Sequence, residues 1–149
     1  MHDLVVIALS SPLLLGVYRD GELIETIESD EKSSEVLPRL VQELLNKYTF
    51  SHFIYAKGPG SFMAIKITYL FFKTLSITKN IPFLATDAFY FNENQPIKAV
   101  GKLCFVKTSD TIVTQTLPEV PVNRFRLPER LHLEDFESDT APFYGIGAV

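Results

Sequence analysis

Residues 52–62 read His-Phe-Ile-Tyr-Ala-Lys-Gly-Pro-Gly-Ser-Phe, a short apolar run that ends in a glycine turn. The run His52–Ala56 has the length and composition of a buried strand. Apolar residues at helical spacing over Ser61–Thr78 then predict a helix directly after the turn. A strand, a glycine turn and a helix in this order are a building unit of α/β folds.

The turn itself comprises Gly58, Pro59, Gly60 and Ser61. Two glycines permit close backbone approach, and the start of the helix offers free N–H groups to an anion. The other interpretation is a tight strand-to-helix turn without a ligand. Because the turn lacks the Gly-Lys-Ser/Thr ending of a Walker motif and the spacing of the dinucleotide fingerprint, we favour the tight turn.

The chain before this unit contains three predicted strands and one predicted helix. Asp20-Gly21 is a hairpin signal. Ser34 can cap the helix, and Pro38 falls in the first turn, where a missing N–H is tolerated. The predicted strands are Leu4–Leu9, Leu13–Tyr18 and Glu22–Glu28.

After the second helix, Ile81–Ala85 predicts a fifth short strand and Asp87–Phe91 a short helix or turn. The order β-β-β-α-β-α-β predicts an α/β fold with a mixed five-stranded sheet and flanking helices. It is the order found in one lobe of the ribonuclease-H-like, or actin-like ATPase (ASKHA), architecture.

The remaining chain differs in character. Val100–Lys107 and Thr111–Leu117 predict a hairpin around Ser109-Asp110, and the prolines and acidic residues beyond it predict no helix. We therefore predict a lobe over residues 1–96 and a reduced second lobe or tail over residues 97–149.

The second helix is apolar on two faces, so a small domain leaves one of them to be covered. One face carries Phe62, Ile65, Tyr69 and Phe72, and Lys66 and Lys73 form a narrow polar lane. An internal layer from the first helix and the tail is one possible cover, and a partner protein is the one we favour. The pattern leaves open which face points outward. The predicted partner surface consists of Phe62, Ile65, Lys66, Tyr69, Phe72 and Lys73, with Leu37 and Val41 of the first helix.

Composition excludes several functional classes. The formal net charge of −4 and the scattered lysines do not provide the basic face of an autonomous RNA-binding protein. The single cysteine, Cys104, excludes an intramolecular disulfide, and the three histidines lack metal-ligand spacing. No signal-peptide pattern and no apolar run long enough to span a bilayer are present. We therefore expect a cytoplasmic protein without catalytic residues, cofactor, metal or membrane contact.

Two segments carry a resemblance to a known family. Ala56–Ala64 reads Ala-Lys-Gly-Pro-Gly-Ser-Phe-Met-Ala and is followed by Asn80-Ile81-Pro82, and Ser33–Pro38 reads Ser-Ser-Glu-Val-Leu-Pro. The chain resembles the TsaB (YeaZ) family, in which a Gly-Arg-Gly-Pro-Gly-Ser-Phe-Thr-Gly-type segment, a helix and Gly-Ile-Pro follow one another. In that family His-Ser-Glu stands before Leu-Pro on the first helix. The resemblance covers about Leu4–Phe91.

The resemblance implies a non-catalytic subunit of the bacterial machinery that adds threonylcarbamoyl to a tRNA adenosine. Its partner would be a TsaD-type subunit that carries the transferase chemistry, assisted by a TsaE-type ATPase, and tRNA would be contacted only indirectly. Without the partner, the same surface could form a homodimer.

The chain also departs from the family pattern. Leu9-Ser10-Ser11 stands where Asp-Thr-Ser is usual, Met63-Ala64 replaces Thr-Gly, and Lys66 replaces Arg. These changes remove polar groups where phosphate would approach, so this chain alone is not expected to bind ATP, and the pattern leaves open whether a nucleotide binds at the interface with the partner. The chain is also shorter than usual for the family. Two alternatives remain: a nucleotide-dependent small-molecule kinase of the same fold, and an assembly protein with a different partner.

Overall fold

A mixed five-stranded sheet forms the centre of the protein. The computed structural model describes residues 1–122 and 124–144. The strand order is β3-β2-β1-β4-β5, with β1, β2 and β3 antiparallel and with β4 parallel to both β1 and β5. This confirms the predicted α/β fold and mixed sheet. The strands are β1 (His2–Ile7), β2 (Leu13–Arg19), β3 (Glu22–Ser29), β4 (Phe50–Ala56) and β5 (Phe83–Thr86).

Helix α1 (Ser33–Lys47) begins earlier than the sequence predicts. The carbonyl of Lys32 accepts the N–H groups of Glu35 and Val36, each at 3.0 Å, and no side chain caps the helix. The prediction that Ser34 caps α1 is therefore wrong, because helical hydrogen bonding starts two residues before it. Pro38 consequently lies in the second turn, where its ring removes one helical hydrogen bond.

Helix α2 (Phe62–Lys79) lies one residue further along the chain than the predicted Ser61–Thr78. At its start, Ser61 is the N-cap and its hydroxyl accepts the N–H of Ala64 at 3.5 Å. At its end, Asn80 adopts a left-handed conformation, and the N–H of Ile81 reaches the carbonyl of Ser76 at 3.0 Å. These bonds satisfy backbone groups that the helix ends would leave unpaired.

A second, three-stranded antiparallel sheet follows the short 3₁₀ turn Ala88–Phe91. The predicted hairpin around Ser109-Asp110 is confirmed. Its first predicted strand, however, is divided: one strand ends at Val100, and Gly101 (φ +56°) turns the chain into the next. The strands are β6 (Ile97–Val100), β7 (Leu103–Thr108) and β8 (Thr111–Thr116).

The helices cover one face of the five-stranded sheet, and residues 124–144, the C-terminal segment, begin on the other face, pair with the β5 edge at Glu137 and end against α2 at Tyr144. On the helix face, the ring of Phe53 lies 5.2 Å from that of Phe72 in α2. On the opposite face, a Cβ on Gly16 would lie 3.0 Å from Leu127, and Tyr18 donates its hydroxyl to a backbone carbonyl of the C-terminal segment. Side chains from both sides of residue 96 share one buried cluster, and the division there stays a prediction.

Candidate partner surface on the second helix

The glycine turn before α2 is closed by other parts of the same chain. Gly58 has φ +117°, and a Cβ there would lie 2.0 Å from the carbonyl oxygen of Phe143. A Cβ on Gly60 would lie 2.9 Å from the Leu9 backbone oxygen, which also accepts the Ser61 N–H at 2.7 Å. Close backbone approach therefore accounts for both glycines without an anion.

The C-terminal segment fixes this turn from outside. The N–H of Phe143 donates to the carbonyl of Lys57 at 2.7 Å, and the ring of Tyr144 lies 4.2 Å from that of Phe62. The Lys57 ammonium pairs with the carboxylate of Glu137. The start of α2 is thus held in position by the sheet on one side and by this segment on the other.

Four residues of the predicted partner surface lie in the core instead. Ile65 and Phe72 are 0% and 1% exposed, and Leu37 and Val41 of α1 are completely buried. The sequence left the outward face of α2 open, and in the structure the face with Ile65 and Phe72 points inward, because Phe72 packs between aromatic rings of β4 and β5.

The other predicted surface residues lie at the edge of this buried face or outside it. Phe62 and Tyr69 are half-buried, the latter with its ring 6.2 Å from that of Tyr55. Lys66 and Lys73 are exposed. Binding of a partner to any of these residues stays a prediction.

The opposite face of α2 presents exposed apolar side chains in a line. Met63, Leu70 and Ile77 are 58%, 53% and 71% exposed, and Ile67 is half-buried between the first two. We name Met63, Ile67, Leu70 and Ile77 the outer stripe. Their spacing of three, four and seven residues places them on one side of the helix. The same spacing was visible in the sequence, but the sequence could not show that this side faces solvent.

The neighbouring surface of α1 is polar. Arg39 lies 3.0 Å from Glu31 and 3.9 Å from Glu43, and all three side chains are more than half exposed. At the other end of α1, hydrogen bonds from Lys47 and Tyr48 lower the pKa of the Glu25 carboxyl. Glu31 and Lys32 line the same cavity as Met63 and Ile67, so charged groups lie beside the first part of the outer stripe, as in an interface core with a polar rim.

A cavity of about 320 Å³ lies beside the first turns of α1 and α2. It is at the carboxyl end of β1, the end of parallel strands where α/β proteins bind ligands. Ser11 donates to the Asp30 carboxylate there at 3.3 Å, so Asp30 supplies a carboxylate that the β1 end lacks. Sequence reasoning missed Asp30 because it lies in the loop after β3. Further lining residues are Lys32, Ser33, Ser34, Ser61 and Met63.

Neither a metal site nor a membrane span occurs in the described part of the chain. Among residues 1–122 and 124–144, no group of three or more His, Cys, Asp or Glu side chains is placed to hold a metal ion. Within the same residues, no helix is long and apolar enough to cross a membrane.

Comparison with known proteins gives a structural likeness only. No protein-family model and no curated protein matches the sequence. YeaZ from Pseudomonas aeruginosa superposes with a TM-score of 0.59 over 88% of this chain and 70% of YeaZ, at 14% identity. A protein described as uncharacterized, with similarity to peptidase YEAZ from Pseudomonas aeruginosa, gives a TM-score of 0.55 over 88% of this chain and 68% of that protein, also at 14% identity. The chain therefore has the fold of YeaZ.

Proposed function

We propose that this chain is a non-catalytic accessory subunit that binds a TsaD-type threonylcarbamoyltransferase in the modification of tRNA adenosine. The observation that carries the proposal is the outer stripe of α2, an exposed apolar line on a YeaZ-like fold. The strand order β3-β2-β1-β4-β5 also supports a ribonuclease-H-like lobe. In this proposal, a TsaE-type ATPase joins the larger complex, and tRNA is contacted only through the partner.

The geometry of the outer stripe suits a helix of a partner. Met63 and Ile77 are separated by about 21 Å along α2, at 1.5 Å per residue. The outer stripe is therefore about as long as one side of a small domain. Leu70 lies near its middle. Lys66 and Lys73 are exposed along one side of the outer stripe and would attract acidic residues at the rim of a partner.

The test is light scattering after size-exclusion chromatography of this chain mixed with the TsaD-type subunit of the same organism. A stable mixed complex is expected for the wild-type protein. Leu70→Glu places a charge in the middle of the outer stripe and should weaken binding at least about tenfold, equivalent to about 1.4 kcal/mol.

Val100→Glu is the matched control, because Val100 is an exposed apolar residue of β6 outside the outer stripe. This variant should bind like the wild type. If Leu70→Glu and Val100→Glu bind equally well, the outer stripe is not the interface. If the wild-type chain forms no complex, the assignment to this machinery is wrong.

The cavity beside the two helices supports one alternative, a small-molecule kinase. Asp30 and the surrounding hydroxyl groups could hold a Mg²⁺–nucleotide at the carboxyl end of β1. Titration calorimetry with ATP and Mg²⁺ separates the two functions. Binding that Asp30→Asn abolishes would favour the kinase, and the absence of binding would favour the accessory subunit.

A further inference from the structure

The C-terminal segment pairs with both edge strands of the five-stranded sheet. At β3, the N–H of Leu23 donates to the carbonyl of Glu129 at 3.1 Å, and the N–H of Leu131 donates to that of Gly21 at 2.8 Å. At β5, Ala85 and Glu137 exchange two hydrogen bonds of 2.9 Å. Both edges are therefore partly closed against pairing with another chain.

The two edge strands of the small sheet, β6 and β8, differ in composition. The edge strand β6 contains Lys98 and follows Pro96, two features that oppose pairing with a foreign strand. The other edge strand, β8, reads Thr-Ile-Val-Thr-Gln-Thr, without charge or proline, and five of its six residues are exposed. Within the described residues, β8 pairs with β7 and with no other strand. The outer edge of β8 therefore has none of the features that oppose pairing with another strand.

The hairpin determines which backbone groups of β8 face outward. The turn Ser109-Asp110 joins Thr108 to Thr111, and residues that flank a two-residue turn exchange hydrogen bonds. Because inward and outward groups alternate along a strand, the groups of Thr111, Val113 and Gln115 bond to β7. The groups of Ile112, Thr114 and Thr116 then face the free edge.

We propose that β8 pairs antiparallel with β8 of a second copy of this chain. A two-fold axis at Thr114 pairs this residue with itself and Ile112 with Thr116, and the two small sheets become one six-stranded sheet. The contact is closed, because the same edge is used by both copies. It lies on β8, away from the outer stripe, so the proposal does not depend on the proposed function.

Charge favours a second copy in the antiparallel orientation. Because β8 carries no charge, two copies meet without opposing like charges. Asp110 directly precedes the strand in the turn, and an antiparallel pair separates the two Asp110 carboxylates by about the length of β8. A parallel pair would place them side by side. The antiparallel pair instead brings each Asp110 toward the end of the partner copy that carries Lys102.

The small size of the contact predicts a weak dimer. One strand edge buries less than the roughly 1,000 Å² expected of a stable interface, so the dimer should form with increasing protein concentration. Sedimentation of the wild-type chain alone, between roughly 10 μM and 1 mM, should show a monomer converting to a dimer.

Charge at the two-fold axis tests the pairing. Thr114→Lys and Thr114→Glu each place like charges opposite one another, and each variant should remain monomeric over the same range. An equimolar mixture of the two should recover the dimer, because opposite charges then meet. Thr26→Lys, at an exposed position of β3, is the matched control and should dimerise like the wild type. Circular dichroism verifies that the variants are folded.

Cross-linking provides a second readout. The native Cys104 is buried, so a Thr114→Cys variant has one accessible thiol. Residues opposite each other across a hydrogen-bonded pair are about 5.5 Å apart at Cα, which suits a disulfide. Mild oxidation should therefore link Thr114→Cys into a covalent dimer at least about tenfold faster than Thr26→Cys. A monomeric wild type, or a dimer that Leu70→Glu abolishes and Thr114→Lys does not, would overturn the proposal.

Discussion

Gly58 shows how one residue connects distant parts of the chain. Its φ of +117° and the 2.0 Å between the position of an added Cβ and the Phe143 oxygen leave no space for a side chain. Gly58→Ala should therefore lower the free energy of unfolding by about 2 kcal/mol or more. Gly101→Ala is the control: its φ is +56°, and no heavy atom lies within 4 Å of its Cβ position. This variant should lose only about 1 kcal/mol. Equal losses in urea denaturation would contradict the role of Phe143.

Tyr90 gives the protein a specific sensitivity to alkaline pH. The pKa of Tyr90 is raised to about 12, compared with about 10 in an unfolded chain. Burial is the larger cause, and the hydrogen bond to Asp135 is the second. Because the folded state disfavours the phenolate, this contribution to stability is fully present below about pH 10. It is lost as the pH rises from about 10 to about 12.

The expected result is measured by urea denaturation across this pH range. Tyr90→Phe should reduce the loss of stability between the two pH values, and Asp135→Asn should shift the Tyr90 titration to lower pH. Because the chain has six tyrosines, the difference in phenolate absorbance between the wild type and Tyr90→Phe follows that titration. A pH profile of Tyr90→Phe identical to that of the wild type would show that Tyr90 does not contribute.

The residue scale also shows what sequence can predict. The two glycines of the turn indicate close backbone approach, and the structure contains such an approach at both. The approaching groups belong to Leu9 and Phe143, and Phe143 lies far along the chain in a segment without an α-helix or a long strand. No local pattern predicts that partner, because it depends on tertiary packing.

At the scale of elements, helix α2 has one buried apolar face and one exposed apolar face. Ile65→Glu places a carboxylate in the core and should destabilise the fold by about 4 kcal/mol or more. Leu70→Glu changes an exposed residue of the same helix and should change stability by less than about 0.5 kcal/mol. Urea denaturation of both variants provides the comparison. A stable Ile65→Glu protein would mean that the face assigned to the core is accessible.

The sequence indicates where α2 begins and ends, but not how the helix is rotated about its own axis. Ser61 and Asn80 mark its ends, and their roles follow from local chemistry. Apolar residues occur on both faces, so periodicity alone does not distinguish them. Two contacts fix the rotation of α2 about its axis: Gly60 packs against Leu9, and Phe72 packs against Phe53 of the sheet. These contacts join parts of the chain that are far apart in sequence.

At the scale of the whole molecule, the C-terminal segment acts as a cover for the five-stranded sheet. It pairs with both edges of the sheet and packs Leu127 against Gly16. Two of its backbone carbonyls accept hydrogen bonds from the hydroxyl groups of Tyr18 and Tyr55. Burial raises the pKa of both hydroxyls above the usual tyrosine range. The sequence indicated a tail or reduced lobe here, but its prolines and acidic residues gave no sign of this packing.

This packing predicts that residues 1–96 do not fold stably alone. Ile97, Phe105, Leu131 and Phe136 belong to the same buried cluster as the strands. Each buried side chain of this size contributes about 1.5–3 kcal/mol, whereas a whole domain is stable by only about 5–15 kcal/mol. The fragment 1–96 should therefore show no cooperative unfolding transition by circular dichroism in urea, in contrast to the full chain.

A second fragment identifies which part is needed. Residues 1–117 retain the small sheet but lack the C-terminal segment, and they should also fail to unfold cooperatively, because both sheet edges and the face around Gly16 are then uncovered. Adding the C-terminal segment as a separate peptide should restore part of the transition if the segment acts by packing alone. A fragment 1–96 with the unfolding midpoint of the full chain would instead establish two independent domains that meet at residue 96.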